Sequence, residues 1–201
     1  MFKTLRQRWL FYFILLLILT TIVLDTVVQK SLRDFLRNLS LIQLERDTNL
    51  VALVVDKESL ILKDAVDYKR LADELSIRLK ARVTFIDAKG VVSGDSDIAP
   101  ENLREIENHA NRPEVISAYK GVPGRGIRYS HTLKVDMAYV AIPMKKGEQI
   151  VGVIRVSRPL FIIDSIIRDV RKILFIGSVL AITLASLVGL FFINRMVKPI
   201  R

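Results

Sequence analysis

The sequence predicts an α+β fold: an antiparallel sheet covered by N-terminal helices and set between two membrane-spanning helices. Three observations carry this. Uncharged apolar stretches fill residues 9–24 and 173–193. Apolar positions recur at helical spacing from there to residue 79. From residue 82 onward, β-branched and aromatic runs punctuated by turn residues take over.

The chain has 201 residues, 51% of them hydrophobic, and a mean hydropathy of +0.33. Roughly 20 apolar residues rising 1.5 Å each cross a hydrocarbon core of about 30 Å. Residues 173–193 meet that length outright. The first stretch meets it as residues 9–28, with its flank snorkelling. Lys3, Arg6 and Arg8 precede the first span, Arg195, Lys198 and Arg201 follow the second, and neither flank holds an acid. The positive-inside rule therefore puts both termini (1–8 and 194–201) in the cytoplasm and residues 25–172 outside. Arg168, Arg171 and Lys172 oppose that asymmetry, but Asp164 and Asp169 lie among them, and long loops cross largely regardless of charge. Leu24-Asp25-Thr26-Val27-Val28 offers no small-x-small cleavage site, so the first span reads as an uncleaved signal anchor.

Set aside those six flanking cations, and 25 basic residues face 21 acidic ones. The net charge of +10 thus belongs mostly to the membrane flanks and argues for a lipid bilayer, not a nucleic acid, as partner. The absence of cysteine excludes disulfides and thiolate metal sites.

Between the spans, Val28, Leu32, Phe35, Leu39 and Ile42 fall at 4-3-4-3 spacing, a heptad seam on a helix that continues outward from the first span. Leu36, Leu41, Leu44 and Val51 lie largely off it and face a domain core. Two apolar faces predict packing on the helix's own sheet and on a second copy of the chain. One broad core-facing stripe is the alternative. A second helix follows over residues 66–79, with Tyr68, Leu71, Ala72, Leu75 and Leu79 on one face. Residues 82–87 and 91–93 form a hairpin whose turn needs Gly90 at positive φ. Residues 100–119 read as one or two short helices broken at Pro113. Gly121, Pro123, Gly124 and Gly126 make a loop, strands follow over 127–133 and 137–144, and a central strand spans 150–156. Pro159 opens an exit helix (159–172) that runs unbroken into the second span.

Several local runs then carry a resemblance. These are Arg82-Val83-Thr84-Phe85-Ile86-Asp87 with Gly90, Val92, Asp95 and Ser96; His109 with Arg112-Pro113-Glu114-Val115; and Arg128, Ser130, Thr132-Leu133, Met137 and Tyr139-Val140-Ala141-Ile142-Pro143. Val151-Gly152-Val153-Ile154-Arg155-Val156-Ser157 with Pro159-Leu160, and finally Met196-Val197-Lys198-Pro199-Ile200, complete the set. In this order the runs resemble sensor histidine kinases of the phosphate-regulon type, and the domain over 29–158 is similar to PAS-like extracytoplasmic sensors of the Cache type. The resemblance implies a PAS/Cache-like antiparallel sheet and a signal-input module of a two-component system in a bacterial inner (plasma) membrane. It also implies a homodimer, an unidentified extracytoplasmic stimulus, and a HAMP linker beginning at 194–201. The family's HAMP body, phosphoacceptor helix and ATP-binding domain would lie after Arg201, so no catalytic residue and no cofactor is expected within residues 1–201. A chemoreceptor, a cyclic-nucleotide signalling protein or a stand-alone membrane interaction protein could use the same input module.

Arg128, Ser130 and Thr132 alternate along one strand and share a face that could receive a carboxylate or phosphate. A solvated face, or Arg128 paired with Asp95 or Glu114, is the alternative. His109 and Arg112, from the run that resembles the family's middle helix, join them as candidate ligand-facing residues. His109-Ala110-Asn111-Arg112-Pro113 lacks a phosphoacceptor pattern and lies on the wrong side of the membrane. Asp95 and Asp97 are the one close acidic pair in a loop and read as a turn or cap feature, so no metal site is expected. Gly124-x-Gly126 lacks the partners of a phosphate loop. In the second span Gly177, Ala181, Ala185 and Gly189 recur every four residues, a spacing that lets helices approach closely. Pro159 and Pro199 mark the two ends of the signal-output segment.

Overall fold

The computed structural model describes residues 5–58, 64–131 and 133–196. The elements run α1 (Leu5–Glu58), α2 (Ala65–Leu79), β1 (Arg82–Asp87), β2 (Val92–Asp95), a 3-10 turn (Pro100–Glu105), α3 (Pro113–Tyr119), β3 (Gly124–Ser130), β4 (Val135–Lys146), β5 (Gln149–Pro159) and α4 (Phe161–Met196). They divide into two units. One is Met1–Phe35 with Ile162–Arg201, and the other is Leu36–Phe161.

The second unit is the α+β domain. Its five strands are all antiparallel, in the order β2-β1-β5-β4-β3, so the strand expected to be central is central. The cross-strand row Asp95, Thr84, Arg155, Ala141 and Gly124 fixes one face, because paired residues share a side. The opposite face carries Val83, Phe85, Ile154, Val156, Val140 and Ala138, all buried. There Tyr68 of α2 packs its ring 5.3 Å from that of Phe85. Helix α2 is fixed by Asp64, whose carboxylate accepts from the Val66 and Asp67 amides, and it ends at Lys80 in the left-handed region. On the same side Arg158 donates to Asp47 at 2.8 Å, and Arg125 pairs with Glu45.

Within this unit α1 buries one face, with Leu36 and Leu41 only half-buried at its edge. Leu44, Thr48, Val51 and Val55 are buried. Leu39 and Ile42, together with Val28 and Phe35 further up the helix, are exposed, whereas Leu32 is half-buried.

The first unit contains the apolar parts of α1 and α4, two helices long and apolar enough to cross a membrane. Arg33 donates to Asp164 at 3.1 Å, and Arg171 to Gln29 at 3.1 Å, tying the two helices together. The four small residues of α4 do not share one environment: Gly177 and Ala181 are exposed, and Ala185 and Gly189 half-buried.

Two expectations need correction. Pro159 does not open the exit helix. It is the last residue of β5, opposite Met137, and α4 begins at Phe161. β1 starts at Arg82, opposite Ser157, so at Pro159 β5 has a neighbour on one side only and a missing N–H is tolerated. Gly124 and Gly126 lie in β3, not in a loop. Pro113 begins α3 as its first residue, where its missing N–H costs nothing. Thr132 and Pro199 lie outside the described residues.

Candidate functional site

The site is built on the sheet face that carries Thr84, Arg155 and Tyr139, with α3 lying over it. The apolar part of that contact is Ile86, Ala141 and Val153 of the sheet against Val115 and Ala118 of α3, with Tyr119 beside them. Glycine brings α3 this close: a Cβ on Gly124 would stand 2.0 Å from the Glu114 carbonyl oxygen. Close approach in turn drives the Glu114 side chain, in the first turn of α3, fully into the interior.

A buried carboxylate needs donors, and the sheet supplies them. Arg128 Nη1 and Nη2 donate to Glu114 Oε2 and Oε1 at 2.6 and 2.8 Å. Arg155 of the central strand, only 5% exposed, places Nη1 3.8 Å from Oε1. Tyr139 lies under both cations, its ring centroid 4.3 Å from the Arg128 guanidinium carbon and 5.5 Å from that of Arg155. Burial pushes the Glu114 carboxyl up, yet the hydrogen bonds and charge of Arg128, with Arg155, outweigh it and hold the group below its ordinary value. Burial pulls Arg155 down to about 10, against the Glu114 charge, which leaves it cationic at neutral pH.

A second polar group adjoins the first along the strands. Asp95, fully buried, accepts from Arg82 Nε at 2.9 and 3.1 Å, from Thr84 Oγ1 at 2.7 Å and from the Asp97 amide at 2.9 Å. Its carboxylate is committed to the fold. The hairpin between β1 and β2 closes as the sequence predicts, with Gly90 at φ 85° and Asp87 accepting from the Lys89 and Val91 amides. Gly90 O accepts from the His109 amide at 2.8 Å, which seats His109 beside the cluster.

The expected ligand-facing residues are therefore spread over different environments. Arg128 is in the cluster, bound to Glu114. His109 is 7% exposed, and its Nδ1 lies 2.6 Å from the Glu107 carbonyl. Only an N–H can meet a carbonyl, so Nδ1 carries the proton. Burial first, then the charge of Arg155, lowers His109 to about 4. Arg112 occupies the N-cap position of α3, and its side chain pairs with Glu107 at 2.7 Å. Ser130 shares a face with Arg128, but its hydroxyl accepts from the Leu133 amide in the β3–β4 turn. Arg155 and Tyr139 complete the cluster, and the sequence reading gave neither a role. The signal was the single charge inside the apolar run Val151-Gly152-Val153-Ile154-Arg155-Val156.

This arrangement, a five-stranded sheet with long helices on one face and a short helix over a polar patch on the other, has a family. The family described as Single Cache-like matches residues 36–159. The chain belongs to the single Cache-like family. Its Cache-like sensor domain is flanked by two apolar helices. Among solved structures, the sensor domain of the V. cholerae histidine kinase DctB is 24% identical, with 66% of this chain covering 59% of that one at a TM-score of 0.43. The ligand-binding domain of the Campylobacter jejuni chemoreceptor Tlp3 in complex with L-valine is 17% identical, covers 77% of this chain and 66% of its own, and gives a TM-score of 0.52. The complex of that domain with 4-methylisoleucine gives 17% identity, 73% and 62% coverage, and a TM-score of 0.51. The Cache-like chain thus spans about three-fifths to two-thirds of these structures. No curated protein sequence matches it.

Proposed function

We propose that the chain is the signal-input half of a sensor histidine kinase of the phosphate-regulon type. Both termini are cytoplasmic, the Cache-like domain faces outward, and two copies pair along the seam Val28, Leu32, Phe35, Leu39 and Ile42. The observation that carries the reading is the placement of a Cache-like sensor domain between two apolar helices, with α4 starting two residues after the central strand ends. A shift of β5 against its neighbours is passed covalently into α4, whose cytoplasmic end would lead to a HAMP linker near Pro199. The exposed apolar side chains at 28, 35, 39 and 42 support the pairing, since isologous dimers are the common assembly. The kinase assignment rests on the local runs of sequence, and the fold serves a chemoreceptor equally well.

The test is a chimera of residues 1–201 with a HAMP linker and kinase. Gly124→Ala, which forces α3 off the sheet, should shift autophosphorylation. Adding Arg168→Gly with Asp169→Gly, about 1 kcal/mol of helix propensity per residue, should abolish that shift while the protein stays folded and inserted. A shift of undiminished size contradicts transmission through a rigid α4.

A further inference from the structure

Arg168, Arg171 and Lys172 stand on the outer side of the second span, against the positive-inside rule. Their placement in α4 is specific. They sit at i, i+3 and i+4, so they share one face of the helix, and all three are exposed. Phe175 and Val179 continue that stripe into the apolar stretch and are exposed as well. A different face is the covered one, with Ile167 buried and Val170, Leu174 and Ser178 half-buried.

The charges on this stripe are poorly matched within the protein. Lys172 meets Asp169 at 3.4 Å, with both side chains largely exposed. Asp164 is taken by Arg33 at 3.1 Å. Among the described residues neither Arg168 nor Arg171 forms an ion pair; Arg171 donates its Nε to the neutral Gln29 at 3.1 Å. That contact also sets a level. Gln29 follows the apolar stretch 9–28 and Arg171 lies just before the stretch 173–193, so the outer ends of both spans meet there. From Arg168 to Lys172 the helix rises about 6 Å, close to the roughly 5–8 Å of one headgroup layer.

We propose that this face binds an anionic phospholipid of the outward-facing leaflet. Arg168, Arg171 and Lys172 take the headgroup phosphate, and an acyl chain lies along Phe175 and Val179. Guanidinium forks match phosphate oxygens, and the apolar stripe directly below them selects a lipid over a free phosphate. Because Arg171 also ties α4 to α1 through Gln29, headgroup binding and that tie draw on one side chain. The inference rests on the reading of 173–193 as a membrane span and names the lipid partner of its outer end.

The chain has a single tryptophan, Trp9, at the start of the first span. Trp9→Phe with Phe175→Trp therefore puts the only indole on the stripe, away from the cations of both cytoplasmic flanks. This full chain is set in phosphatidylcholine nanodiscs containing a minority of phosphatidylglycerol. Quenching of Trp by phosphatidylglycerol brominated on its acyl chain is compared with quenching by brominated phosphatidylcholine at the same fraction. One cation at an anionic membrane surface strengthens binding about fivefold, so phosphatidylglycerol should be preferred by at least that factor. Arg168→Gln with Arg171→Gln should lower the preference about fivefold or more. Lys145→Gln with Lys146→Gln, which removes the same charge at the β4–β5 turn, should leave it unchanged. Inorganic phosphate, added against sodium chloride of equal ionic strength, should not displace the lipid. Equal quenching by the two lipids, a preference that survives the arginine substitutions, its loss in the lysine control, or displacement by inorganic phosphate overturns the proposal. Should the arginine variant fail to insert, salt decides: at about 1 M sodium chloride, where charges are screened within about 3 Å, the preference should vanish, and one that persists overturns the proposal. Failure here with Lys89→Cys labelled from outside leaves the sensor reading standing and removes only the lipid site. Labelling of Lys198→Cys in its place removes both.

Discussion

Gly124→Ala probes the contact on which the site depends. The added Cβ would stand 2.0 Å from Glu114 O and 2.6 Å from its C and Cα, all backbone atoms that cannot rotate away. Ordinary contact begins near 3.4 Å, so the first turn of α3 must retreat by about 1 Å or more. That lengthens the Arg128 bonds to Glu114, now 2.6 and 2.8 Å, and loosens Val115 and Ala118 from Ala141 and Val153. Overpacking costs about 1–3 kcal/mol and weakened charged hydrogen bonds a share of about 1.5–3 kcal/mol, so a combined loss near 3 kcal/mol is expected. For a unit of this size that lowers Tm by roughly 10 °C. Circular dichroism melts of the nanodisc-embedded chain measure the loss, and amide exchange over 113–119 localises it. Gly147→Ala is the control. Its Cβ meets nothing within 4 Å, and its φ of 62° limits the cost to about 1–2 kcal/mol of backbone strain. A Gly124→Ala melt within about 2 °C of the parent chain, where roughly 10 °C is expected, would refute the close packing of α3 on the sheet.

Other expectations follow from the same geometry. His109 is held at about 4, below its unfolded value of about 6.5, so between these pH values the unfolded chain binds more protons. Its contribution is complete above pH 6.5 and is lost as pH falls toward 4, on the order of 3 kcal/mol in all. His109→Gln should flatten stability between pH 6.5 and 4.5, and an unchanged slope contradicts the burial of a neutral imidazole. Single cysteines from 28 to 42 should crosslink with a seven-residue rhythm peaking at Val28, Leu32, Phe35, Leu39 and Ile42. A flat profile speaks against the seam.

Much of this was legible because the signals are local. The buried face of α1 at Leu44 and Val51 follows from side-chain spacing, and the Gly90 turn from the one residue suited to positive φ. The site was less so. Arg128 could be placed on a face by alternation, and of the two partners weighed for it, Asp95 and Glu114, the structure takes Glu114, a choice that depends on α3 crossing that face. Gly124 and Gly126 read as loop residues because glycine weakens strands; here Gly124 makes room for the Glu114 backbone. Arg155 falls in the strand expected to be central, and β5 is central, but that this charge is buried beside Glu114 follows only from α3 packing over that face.

The central claim is that an outward-facing Cache-like domain is held between two membrane spans with both ends inside. The chain has no cysteine, so a single introduced one reports unambiguously. In intact cells a membrane-impermeant maleimide should label Lys89→Cys, in the turn between β1 and β2, and should label Lys198→Cys only after permeabilisation. Labelling of Lys198→Cys but not Lys89→Cys in intact cells would contradict the account.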